Sequence, residues 1–77
     1  MPIRRIPIVN RGPYDLHVGL EPEGDCLTLA AGESLEIRYS AEGNLDEPVV
    51  ELEPEGQLLS VHCMSTKEIW KNGGRIR

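Results

Sequence analysis

Apolar residues recur along this chain at every second position, the period of a strand with one buried face, and helical periodicity hardly appears. Ile6-Pro7-Ile8-Val9-Asn10 predicts a first strand. Pro7 offers no N–H to a ladder and so confines that strand to a sheet edge or to a strand start. Arg11-Gly12-Pro13-Tyr14-Asp15 carries the residues of a turn. In Leu16-His17-Val18-Gly19-Leu20 the three apolar residues share one face and His17 and Gly19 the other. A break over Glu21 to Asp25 precedes Cys26-Leu27-Thr28-Leu29, with Leu27 and Leu29 inward. Ala30 to Glu33 turns the chain into Ser34 to Tyr39, where Leu35, Ile37 and Tyr39 share a face. Ser40 to Pro48, with Gly43, Asn44, Asp46 and Pro48, reads as the longest loop and joins two halves.

The second half repeats the first. Val18-Gly19-Leu20-Glu21-Pro22-Glu23-Gly24 returns 32 positions later as Val50-Glu51-Leu52-Glu53-Pro54-Glu55-Gly56. Without a gap, Leu27 falls on Leu59, Leu29 on Val61 and Ile37 on Ile69, so inward positions match inward positions across 18–39 and 50–71. Two similar strand–turn–strand units, each with a face it cannot bury alone, would close one core by packing together. In the tail, Asn72-Gly73 between short alternating stretches is a hairpin signal, because a type I′ turn needs positive φ at both central residues. A capping box opening at Ser65 with Glu68 is the competing helical reading, and repeat parity favours the strand.

Six to seven short strands with turns between them predict an all-β domain over 1–77, a small antiparallel β-sandwich or partly open barrel. The strings Ile8-Val9-Asn10-Arg11-Gly12, then Leu16-x-Val18-x-Leu20-Glu21-Pro22-x-Gly24-Asp25, then Thr28-Leu29-x-x-Gly32-Glu33-x-x-Glu36-Ile37 resemble a group of small bacterial single-domain β proteins of unassigned function. That group has a Leu-Glu-Pro-x-Gly turn and a closing Asn-Gly or Asp-Gly hairpin. This chain departs from it at Glu23, where an aromatic residue often follows Glu-Pro, and at Cys26, where Tyr often stands. The resemblance implies an all-β fold and no activity.

At 77 residues with three aromatic side chains, the chain can build a thin core but not a deep, walled cleft, so a self-contained enzyme is not expected. The net charge of −5 is unevenly spread: Gly12 to Thr66 holds twelve acidic residues against Arg38, whereas Arg4, Arg5 and Arg11 precede it and Lys67, Lys71, Arg75 and Arg77 follow it. An acidic middle repels phosphates, which disfavours direct nucleic-acid binding. No apolar run is long enough to span a membrane, and no apolar stretch follows the arginines of the N-terminus, so a cytoplasmic protein without membrane contact is expected. Two cysteines suit a reducing compartment.

His17, Cys26, His62 and Cys63 are nominally a zinc set, but none has the two-ligands-per-turn spacing of such sites, and parity points Cys63 inward and Cys26 outward. Met64 after His62 and Cys63 does not give the order of a blue-copper site. Cys26 beside Asp25 and Glu23 is a poor nucleophile, since neighbouring carboxylates disfavour the thiolate. No catalytic residue, metal site or cofactor is assigned. The candidate protein-binding residues are the carboxylates of the two turns, Glu21, Glu23, Asp25, Glu53 and Glu55, together with Trp70, whose parity sets it on the outer face of the closing hairpin. The function expected is a non-catalytic protein-binding or assembly module whose partner is another protein or a further copy of itself. The alternatives are a small acidic inhibitor that mimics nucleic acid, which needs both acidic turns on one face, and a metal-binding protein.

Overall fold

Alternation becomes two layers in the computed structural model, which describes residues 3–40 and 47–77. The strands are β1 (Ile3–Val9), β2 (Leu16–Glu21), β3 (Asp25–Leu29), β4 (Ser34–Ser40), β5 (Val49–Leu52), β6 (Leu58–His62), β7 (Lys67–Lys71) and β8 (Gly74–Arg75). They form two four-stranded sheets, ordered β1-β4-β7-β8 and β3-β2-β6-β5. Every adjacent pair is antiparallel except β2 and β6, which run parallel from His17 opposite Leu58 to Glu21 opposite His62. The chain is an all-β sandwich. No helix among the described residues is long and apolar enough to cross a membrane. The loop expected between Ser40 and Pro48 lies largely outside the described residues.

The inner faces supply the core. Ile8, Leu35, Ile37, Tyr39 and Ile69 come from the first sheet, and Val18, Leu20, Leu29, Val61 and Cys63 from the second sheet and the residue after β6. All are under a tenth exposed, with Ile6, Leu16, Leu27 and Leu59 packed against them. Asn10 is the buried polar residue of this layer. Its side-chain amide donates to the carbonyls of Tyr14 (2.7 Å) and Leu29 (2.9 Å), and its Oδ1 accepts from the Gly12 N–H (3.0 Å). One amide thus ties the β1–β2 turn to the end of β3, with each polar atom satisfied.

The first strand begins at Ile3 rather than Ile6, because its ladder with β4 continues to Ile3 opposite Ser40. Pro7 lies on an edge strand, as expected. The tail is a hairpin, with Asn72 at φ 51° and Gly73 at φ 84° between β7 and β8. Glu68 does not cap a helix; its carboxylate accepts the indole N–H of Trp70 at 3.0 Å and faces Arg75 at 3.6 Å.

The repeat offset carries β2, β3 and β4 onto β5, β6 and β7, but the two units do not stack as separate layers. Each places two strands in the second sheet and one in the first. Nor are matched inward positions equally buried: Val18 and Leu20 are 0% and 2% exposed, their counterparts Val50 and Leu52 46% and 61%. β2 is flanked by β3 and β6, whereas β5 has a neighbour on one side only, so the same alternation there ends in solvent.

Candidate functional site

A β-sandwich has four sheet edges, and each exposes unpaired N–H and C=O groups unless something blunts it. The edges at β3 and β7–β8 are fastened to one another. The Lys71 ammonium donates to the Thr28 carbonyl (3.2 Å), Arg77 pairs with Asp25 (2.5 Å), and Lys67 pairs with Glu23 (2.6 Å). The Lys67 side chain is 4% exposed and also donates to the carbonyls of Cys63 (2.6 Å) and Ser65 (3.3 Å), so its three N–H groups meet three acceptors. That ammonium holds the Glu23 carboxyl below its ordinary value, chiefly through the hydrogen bond it donates.

The remaining edges, β1 and β5, lie on the opposite side of the sandwich, and among the described residues no hydrogen bond or ion pair joins them. Pro7 blunts β1. Among the described residues no proline or lysine does so in β5, where Val49, Val50 and Leu52 are 46% to 61% exposed and Glu51 beside them is the strand's one charge. The Glu53 N–H donates to the Leu58 carbonyl at 2.9 Å. By alternation Glu51 and Val49 also turn their amides toward β6, which leaves the N–H and C=O of Val50 and Leu52 pointing outward. Pro48 and Pro54 bracket this four-residue window.

The carboxylates singled out from the sequence are split by the fold. Glu21 ends β2, Glu23 sits in the β2–β3 turn and Asp25 begins β3, while Glu53 and Glu55 occupy the β5–β6 turn. Glu21 stands opposite His62 at the end of β6, and the β5–β6 turn enters β6 at its start, so the two acidic turns lie at opposite ends of the second sheet. No single acidic ridge forms, and Glu23 and Asp25 are already held by Lys67 and Arg77. Glu53 and Glu55 are exposed beside the open edge.

Trp70 lies on the outer face of the first sheet, half-buried, with the Arg38 guanidinium 3.9 Å above its ring and its N–H on Glu68. The indole is thereby covered by its own sheet. A surface groove of about 230 Å³ lies against it beside Pro7, Glu36 and Asn72, and a separate one of about 360 Å³ lies along the same sheet against Ile3, Arg5 and Arg38. The nominal zinc residues do not converge. Cys63 is buried on the inner side, Cys26 is exposed on the outer face of β3, and His17 and His62 sit at opposite ends of the β2–β6 ladder. His17 Nδ1 instead meets the Thr28 hydroxyl at 3.1 Å on the exposed outer face.

The residues that sequence reasoning missed are Val49, Val50 and Leu52. The signal was present in Pro48 and Pro54 around an apolar run, since prolines outside a short strand allow the pairing inside it. Comparison of the chain with protein-family models, with curated proteins and with solved structures finds no match.

Proposed function

We propose that this chain is a non-catalytic protein-binding module that accepts an extended segment of its partner as an added strand on β5. The observation that carries the reading is the open pairing window of Val50 and Leu52, with three exposed apolar side chains and no proline or lysine inside it. Main-chain bonds supply affinity in such an addition, and alternate side chains supply selectivity. Glu47, Glu51, Glu53 and Glu55 around the window select a segment that carries Lys or Arg among its apolar residues. Work in the cytoplasm accords with Cys26 and Cys63, which face opposite sides of the second sheet and so do not bridge each other.

Fluorescence anisotropy with labelled eight-residue peptides tests this. Peptides alternating apolar and basic residues should bind and weaken as salt rises, and their acidic counterparts should not. Val50→Pro removes one outward N–H and leaves the ladder to β6 intact, so it should weaken binding about tenfold or more with little change in melting temperature. Equal binding by Val50→Pro, or none by the unaltered protein, overturns the reading.

A further inference from the structure

Resting on that strand-addition reading, we propose that the added strand is β1 of a second copy of this chain, and that the two copies close as a two-fold dimer with β5 of each alongside β1 of the other. The directions of the strands lead to this arrangement. β1 and β7 are both antiparallel to β4, so they run the same way. β5 and β3 likewise share a direction through β6 and β2. Lys67 at the start of β7 meets Glu23 just before β3, and Lys71 at its end meets Thr28 near the end of β3, so β3 runs with β7. β1 and β5 therefore point in one direction along the open side of the sandwich. A two-fold axis parallel to the strands then brings β5 beside β1 of the partner in parallel, twice, and continues each sheet of one copy into the other sheet of its partner.

The open groups of the two edges fit. The Asn10 N–H donates to Glu33 and the Asn72 N–H to Ser34, which fixes the alternation along β4 and directs Ile3, Arg5 and Pro7 outward on β1. With Val50 opposite Arg4, the Val50 N–H reaches the Ile3 carbonyl, the Arg5 N–H reaches the Val50 carbonyl and the Leu52 N–H reaches the Arg5 carbonyl. Pro7 has no donor for the next bond, so the ladder stops there, where Pro54 ends β5. In this register Glu51 stands opposite Arg5, Val49 opposite Ile3 and Leu52 opposite Ile6. Ile3, Val49, Val50 and Leu52, all about half or more exposed in the single copy, then gain cover, and an acidic edge meets a basic one. The other two-fold arrangement pairs β1 with β1 and β5 with β5. It sets arginines near arginines, and at β5 it opposes Glu51 to itself, matches Leu52 with Pro48 or matches Val50 with Pro54, and neither proline donates.

Sedimentation equilibrium over a hundredfold concentration range tests the dimer, using three variants of the full chain. The unaltered protein should be a monomer–dimer mixture. Arg5→Glu and Glu51→Arg should each weaken association about tenfold or more, and the chain carrying both changes should recover it, because the reversed charges meet again across the interface. Both positions are exposed, and Arg5→Glu relieves an Arg5–Arg38 cross-strand pair, so folding is retained. A protein that stays monomeric, or dimers indifferent to Arg5 and Glu51, or a double variant that fails to recover, overturns the dimer. Arg5→Glu leaves β5 untouched and should still bind the basic peptides, so loss of the dimer with peptide binding kept separates this inference from the strand-addition reading.

Discussion

Asn10 is a buried polar tie in this small domain, because two backbone groups of the β1–β2 turn and one at the end of β3 converge on its amide. Removing it strands the buried carbonyl of Leu29, at a cost of order 1 kcal/mol or more, and frees the part-buried Tyr14 carbonyl and Gly12 N–H that water can reach. Asn10→Ala is expected to lower stability by about 2–4 kcal/mol, seen in thermal melts as a fall of about 10 °C or more for a chain of this length. The contact with Gly12 was legible, since Asn two residues before Gly is the signature of an Asx turn. The contact with Leu29 was not. It spans nineteen positions and exists only once β1 and β3 have been brought to the same corner of the sandwich.

At the scale of the element, the closing hairpin was legible and the environment of β5 was not. Asn72-Gly73 announces its turn type because both residues must take positive φ, a purely local requirement. Asn72 has a second task that no local rule contains. Its Oδ1 accepts the Ser34 N–H at 3.1 Å and its amide donates to Glu33 at 2.9 Å, clamping the hairpin to the β3–β4 turn. The two tasks separate by substitution. Asn72→Gly keeps the backbone and loses the clamp, and is expected to cost about 1 kcal/mol; Asn72→Ala loses both and should cost about 2 kcal/mol, measured by urea denaturation. For β5 the alternation Val50-Glu51-Leu52 predicts a strand with an inward face, as in β2, and the strand forms. Whether that face is covered depends on how many strands lie beyond it, and sheet order is not written in a strand's own residues.

Across the whole molecule, charge organises the closed side of the sandwich. Lys67, Lys71 and Arg77 from the basic tail meet Glu23, Glu33 and Asp25 from the acidic middle, so the uneven charge along the chain becomes a set of fastenings between the two sheets. Hydrogen bonds from Lys67 to Glu23, and from the Ala30 N–H and Asn72 to Glu33, hold both carboxyls below their ordinary value of 4.5. A carboxyl more acidic folded than unfolded adds stability above its unfolded value and loses it as pH falls through its folded value. Melting temperature should accordingly decline as pH drops from about 5 to about 3, and Glu23→Gln should flatten that decline while costing about 1 kcal/mol at neutral pH. Protonation at these points loosens the closed side and leaves the apolar edge of β5 unaltered. The parallel ladder of β2 and β6 has a consequence in time. Hairpins such as β2–β3 and β5–β6 close over a few residues, but every β2–β6 pair joins positions as far apart as His17 and Leu58. That meeting must be reached by diffusion of two preformed hairpins, with the loop entropy lost before its bonds are made, so it sets the pace at which the domain folds.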